Sequence, residues 1–225
     1  MIRLNADVHS RTGAHHAVNQ DAYLIAPENG VWALSDGMGG HAAGELASAA
    51  VCEILGDIPL HAQLHAQEAA VREAVSYIDE RLRQRARQLG DICGATLVAL
   101  LQAEDGAAVL WAGDSRAYHW RDNKFMRLTR DHTPEEEMGV RVAADLRSKM
   151  ILRAIGAESP VALERADLAI VPGDRLLLCC DGVTDALDDA ALARLLVEGD
   201  AEAMTTAAAT AGSTDDITAL ILQAF

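Results

Sequence analysis

The chain has 225 residues, 50% hydrophobic and 24% charged, which is long enough for one large core and excludes a disordered or fibrous chain. Its formal net charge is −15, from 34 Asp and Glu against 19 Lys and Arg, so nucleic acid and anionic membrane surfaces are disfavoured as partners. Aromatics are only 4%, and the core has to come mainly from Ala, Leu, Val and Ile.

Ala22 to Ala26 reads as a strand, followed by the turn Pro27-Glu28-Asn29-Gly30 and a second strand, Val31 to Ser35. The pair is a predicted hairpin. The glycine-rich stretch 37–40 leads into a helix from Ala42 to Leu55. A longer helix runs from about His65 to Leu89, with Val71, Ala74, Val75, Ile78, Leu82 and Leu89 on one face. Strands follow at 95–101 and 107–112 around Glu104-Asp105-Gly106, then at 116–121 and 124–128 around Asp122-Asn123. Leu176-Leu177-Leu178-Cys179-Cys180 reads as a strand buried on both faces. Helices at about 188–198 and 200–211 precede a last strand, Ile217 to Leu222. Strands joined by tight turns, with helices in separate blocks, predict an α+β fold in one domain spanning 1–225.

The aspartates fall at strand ends. Asp21 precedes one strand and Asp36 follows another. Asp181 follows the apolar run, Asp215 and Asp216 precede the last strand, and Asp114 sits in the turn Ala112-Gly113-Asp114-Ser115. A single Asp in such a place is ordinarily a turn residue. Several of them, with Gly37 and Gly182 directly after two, form a pattern in which backbone can approach a ligand. If the strands are neighbours, the carboxylates converge on one edge. Converging carboxylates repel unless cations neutralise them, and oxygen-only donors select Mg²⁺ or Mn²⁺ rather than zinc. Two such ions about 4 Å apart can activate water and clamp a phosphoryl group.

With these motifs the chain resembles the PP2C-type (PPM) metal-dependent protein serine/threonine phosphatases in their bacterial form. The matching segments occur in the family's order. They are Asn19-Gln20-Asp21, Ser35-Asp36-Gly37-Met38-Gly39-Gly40-His41 with Gly44-Glu45, and Gly94-Ala95-Thr96, then Ala112-Gly113-Asp114-Ser115-Arg116-Ala117-Tyr118. Leu128-Thr129-Arg130-Asp131-His132-Thr133, Cys180-Asp181-Gly182-Val183-Thr184-Asp185 and Asp215-Asp216-Ile217-Thr218 complete the set. The resemblance implies a four-layer α-β-β-α sandwich with two central antiparallel β-sheets. It also implies hydrolysis of phosphoserine or phosphothreonine by water activated between two Mn²⁺ or Mg²⁺ ions. Asp36 would bridge both ions, the Gly37 carbonyl would bind one, and Asp181 and Asp215 would complete the other site. Asp21 would hold metal-bound water, and Asp114 with Asp181 would form a third ion site. The implied partners are a phosphorylated protein substrate and a serine/threonine kinase that the enzyme counteracts.

Two positions depart from the family pattern. Many members carry a phosphate-gripping Arg five residues before Asp21, where this chain has His16, preceded by His15. A protonated His16 supplies one charge without the bidentate fork of Arg, and Arg11 is a weaker substitute. A solvated loop is the alternative for both histidines. Asp216 stands where the family usually has Asn, and is expected either to tighten metal binding or to face solvent. Met38 replaces a His proposed as general acid in eukaryotic members, which leaves the proton donor unassigned, and His41 is expected at the substrate edge. Residues 133–150 match the variable flap, with substrate selection or a plain surface helix as its two readings.

The four cysteines, Cys52, Cys93, Cys179 and Cys180, have neither zinc-ribbon spacing nor a disulfide framework. Cys180 is followed six residues later by Ala186 rather than the Arg of cysteine phosphatases, and no His-Asp arrangement activates Ser115. The N-terminus lacks the apolar run of a signal peptide, and no stretch suits a membrane span, so a cytoplasmic monomer is expected. The rival readings are a non-catalytic phosphoprotein-binding domain of the same fold and a phosphatase of a small phosphomonoester or of an anti-sigma-factor antagonist. Retention of Asp36, Asp181 and Asp215 argues against the first.

Overall fold

A computed structural model describes residues 1–39, 43–139, 150–157 and 160–225. One antiparallel sheet contains, in spatial order, β1 (Leu4–Arg11), β11 (Ile217–Ala224), β10 (Arg175–Cys179), β7 (Arg116–Arg121) and β8 (Lys124–Arg127). The second contains β2 (Asp21–Ala26), β3 (Val31–Met38), β5 (Leu97–Ala103), β6 (Gly106–Ala112) and β9 (Glu164–Leu168), with the short β4 (Gly94–Ala95) beside the end of β3. Helices α1 (Ala43–Gly56) and α2 (Leu64–Leu89) cover the second sheet. Two further helices, α5 (Asp189–Glu198) and α6 (Ala201–Thr210), cover the first. Single-turn helices α3 (Pro134–Met138) and α4 (Asp181–Thr184) lie between strands. The α+β sandwich of four layers is the architecture the resemblance implied.

Side-chain alternation along the central strands explains the layers. Trp32 and Leu34 of β3 join one core cluster with Val98, Leu100, Val109, Trp111 and the leucines of β10. Val31 and Ala33 point the opposite way, onto Val51 and Leu55 of α1 and Val71, Val75 and Ile78 of α2. Both faces of β3, β5 and β6 are therefore buried, which is why these strands read as continuous apolar runs. Each Leu or Val taken fully from water contributes about 1.5–3 kcal/mol. The turn Asp122-Asn123 joins β7 to β8 with both residues at positive φ, 50° and 59°, the conformation that suits a two-residue hairpin and that Asp and Asn tolerate. Asp188 and Asp200 cap α5 and α6, their carboxylates accepting from Ala191 N and Ala203 N.

Candidate active site

Five carboxylates reach one end of the sandwich, carried by both sheets. In the β2–β3 hairpin, Asp21 lies directly opposite Asp36. Facing like charges are unfavourable in a ladder. The register places them there because the turn at Ala26–Val31 and the buried alternation of Trp32 and Leu34 set it. Asp36 lies within β3, which continues to Met38, rather than after a strand ending at Ser35. On the first sheet, Asp181 opens α4 just after β10, and Asp215 lies two residues before β11, the neighbour of β10. Asp114 occupies the turn by which the chain passes from β6 in one sheet to β7 in the other.

Hydroxyls and backbone amides hold these positions. Thr96 Oγ1 accepts from the Asp36 amide at 2.9 Å and pairs with Ser115 Oγ at 2.8 Å, linking the Asp36 strand to the Asp114 turn. Gly113 N donates to His132 Nδ1 at 3.0 Å. Thr218 Oγ1 donates to Asp21 Oδ2 at 2.6 Å. A Cβ at Gly37 would sit 2.1 Å from Gly44 O and 2.8 Å from Gln20 O, so only glycine lets the start of α1 close against this strand.

The electrostatics are those of a site awaiting positive charge. Burial pushes Asp21 and Asp114 up to about 7. Asp36 and Asp181 stand well above the carboxylate range, again through burial first. The other acids add to it: Asp21, Asp181, Asp114 and Asp215 all act on Asp36, and Asp114, Asp215, Asp185 and Asp21 act on Asp181. Asp21 Oδ1, Asp114 Oδ1 and Asp181 Oδ1 are buried without a hydrogen-bond partner, each a penalty on the order of 1–3 kcal/mol. Arg116, whose charge reaches Asp114, is committed to Asp131 at 2.7 Å. This all-oxygen, unpartnered donor set fits hard divalent cations. Among the described residues, His16, Asp215 and Asp216 bring one ligand atom each within 4.8 Å of one another, as do His132, Glu137 and Glu164.

His16 also reaches this end, with Nδ1 2.8 Å from Asp216 Oδ2 and 3.6 Å from Asp215 Oδ1. Its hydrogen bond to Asp216 raises its pKa, assisted by the charges of Asp216, Asp215 and Asp21 and opposed by burial. His15 and Arg11 are exposed. Asp216 is 3% exposed, so it does not face solvent, and its carboxylate accepts from Gly13 N, Gln20 N and His16. His41 lies outside the described residues. Of the flap, 134–138 forms α3, capped by Thr133, and 140–149 lie outside the described residues. Thr96, Ser115, His132 and Thr218 stood inside the recognised motifs, but nothing local to them signals their partners.

A two-sheet sandwich whose strand ends gather carboxylates, three of them with a buried oxygen lacking a partner, defines a metal-binding β-sandwich of the kind suited to phosphoryl chemistry. The sequence profile of the Protein phosphatase 2C family matches residues 9–215. The chain is similar to the serine/threonine phosphatase stp of Listeria welshimeri, 30% identical over an alignment 208 residues long that covers 84% of this chain and 82% of that protein. Among solved structures it resembles PppA, described as a key regulatory component of T6SS in Pseudomonas aeruginosa, with TM-score 0.92, 36% identity, and coverage of 99% and 98% of the two chains. It also resembles the catalytic domain of the serine/threonine protein phosphatase PstP in complex with 2 manganese ions, with TM-score 0.80, 30% identity, and coverage of 100% and 99%. The chain belongs to the protein phosphatase 2C family.

Proposed function

We propose that the protein is a serine/threonine phosphatase that removes phosphate from phosphoserine and phosphothreonine of a protein substrate. The observation that carries this reading is the facing Asp21–Asp36 pair together with the unpartnered buried oxygens of Asp21, Asp114 and Asp181. Two Mn²⁺ or Mg²⁺ ions, when bound, supply the charge that makes water nucleophilic near neutral pH and offsets charge on the phosphoryl oxygens. Asp36, Asp181 and Asp215 are the carboxylates assigned to hold them, with the Gly37 carbonyl beside Asp36. Asp21 orients water, and Asp114 with Asp181 serves a third ion.

His16 donates to the phosphate at the rim. No side chain acts as a covalent nucleophile. Burial holds the Cys180 thiol well above its usual range, and Ser115 is 1% exposed with its Oγ tied to Thr96. A serine/threonine kinase is the natural counterpart. Four buried free cysteines suit a reducing cytoplasm.

The test is Mn²⁺-dependent hydrolysis of p-nitrophenyl phosphate and of a phosphothreonine peptide. Asp36→Asn is expected to lower kcat on the order of 10³-fold, the several kcal/mol that a misplaced ion forfeits. Unchanged activity would remove Asp36 from the metal site. An inactive wild type with metal supplied would favour a phosphoprotein-binding role instead.

A further inference from the structure

The two positions at which the chain departs from the family pattern, His16 and Asp216, are 200 residues apart in sequence and hydrogen-bonded in space. We propose that Asp216 is a positioning residue for phosphate recognition. It fixes the imidazole of His16 with Nδ1 inward and Nε2 outward, and the pair together takes the place of a single arginine. This rests on the phosphatase reading and extends it to how the substrate phosphate is held.

Asp216 cannot swing freely. Its Oδ1 accepts the Gly13 amide at 2.8 Å, and its Oδ2 accepts the Gln20 amide at 2.7 Å and His16 Nδ1 at 2.8 Å. Two of these three donors are backbone groups at the two ends of the loop that carries His16. The loop itself lies on the chain leading to β11. A Cβ on Gly13 would meet the carbonyl carbon of Asp215 at 2.3 Å, His15 N reaches Thr214 O at 3.3 Å, and His16 N closes a turn onto Gly13 O at 3.2 Å. The ring of His16 is therefore set twice, by its backbone turn and by its Nδ1 bond.

An imidazole whose Nδ1 donates to a carboxylate presents Nε2 on the opposite side of the ring, and the partner of the first nitrogen fixes that orientation. Asp216 is 3% exposed, whereas the His16 side chain is 34% exposed, so the accessible edge of the pair is the outer edge of His16. The same geometry explains why Asp rather than Asn stands at 216. Three donors converge on its two oxygens, and the NH₂ of an Asn would face at least one of them. A histidine at 16 and a carboxylate at 216 thus require each other.

The experiment is a double-mutant cycle of His16→Ala and Asp216→Asn with a phosphothreonine peptide at saturating Mn²⁺, together with ¹⁵N NMR of the His16 ring. Each single variant is expected to raise KM about tenfold, the order of one charge-assisted hydrogen bond, with kcat little changed. The double variant should be no worse than the weaker-binding single. The ring should carry its proton on Nδ1 in the wild type and lose that preference in D216N. Additive KM effects, or a D216N enzyme with wild-type KM, would overturn the proposal.

His16→Asn guards against a D216N protein that does not fold. Its amide can still donate to Asp216, but it lacks the outer nitrogen, so KM should rise as in H16A. Wild-type KM in H16N would overturn the proposal. If the wild type hydrolyses no phosphopeptide, the phosphatase reading fails. In that case inorganic phosphate shifting the His16 Nε2 resonance in the wild type but not in D216N supports the positioning role, and no shift refutes it.

Discussion

Replacing Asp21 by Asn should make the metal-free protein more stable at alkaline pH while removing a residue the enzyme needs. Asp21 faces Asp36 across the hairpin, and its Oδ1 has no partner. Burial, with the charges of Asp216 and Asp215, pushes its carboxyl from 3.8 up to about 7, against the hydrogen bonds from Thr218 and Cys180. Because the folded-state value is raised, the stability tied to this proton is fully present below about pH 4 and is lost as pH climbs towards 7.

At about 1.4 kcal/mol per pH unit, that interval is worth about 4 kcal/mol. The sharing of one field among several acids reduces the gain from a single substitution to on the order of 1–2 kcal/mol. For a chain of 225 residues, about 2–4 °C per kcal/mol translates this into a rise of about 2–8 °C in Tm. The Asn carbonyl still accepts from Thr218 Oγ1, so no hydrogen bond needs to be lost. Thermal melts of wild type and D21N in EDTA should show the rise at pH 8 and none at pH 4. Added Mn²⁺ should stabilise the wild type and narrow the gap. A D21N protein no more stable than wild type at pH 8 in EDTA, or one equally stabilised at both pH values, would refute the electrostatic account.

Two other outcomes follow from the geometry. Gly37→Ala places a methyl 2.1 Å from the Gly44 carbonyl, so it should destabilise by on the order of 1–3 kcal/mol in urea unfolding and weaken Mn²⁺ activation; an unchanged midpoint would show that the contact yields freely. All four cysteines are buried, and burial pushes the Cys52 and Cys179 thiols up to about 12. Ellman's reagent should therefore label the native protein slowly at pH 8 and all four thiols only on denaturation, and rapid native labelling with loss of activity would count against the thiol-independent mechanism.

The sequence by itself determined the class of fold, because burial on one face or two leaves a periodic trace. Val71, Val75, Ile78 and Leu82 mark the inner face of α2, and the unbroken apolar runs of β3, β5 and β6 record sheets covered on both sides. It also marked the aspartates that reach one end of the sandwich, though Asp36 lies inside β3 rather than after it. The edge strands β1 and β9 escaped notice. In Leu4–Arg11 and Glu164–Leu168 only Leu4 and Leu168 are fully buried, too little apolar signal to stand out from loop.

Tertiary structure alone decided the pairings. That Asp21 opposes Asp36, that Thr96 ties Asp36 to Ser115, and that Asp216 accepts from Gly13, His16 and Gln20 all depend on strand register and on contacts between distant segments. Periodicity encodes which way a side chain faces, whereas the identity of the group it meets is set only when the sheets close.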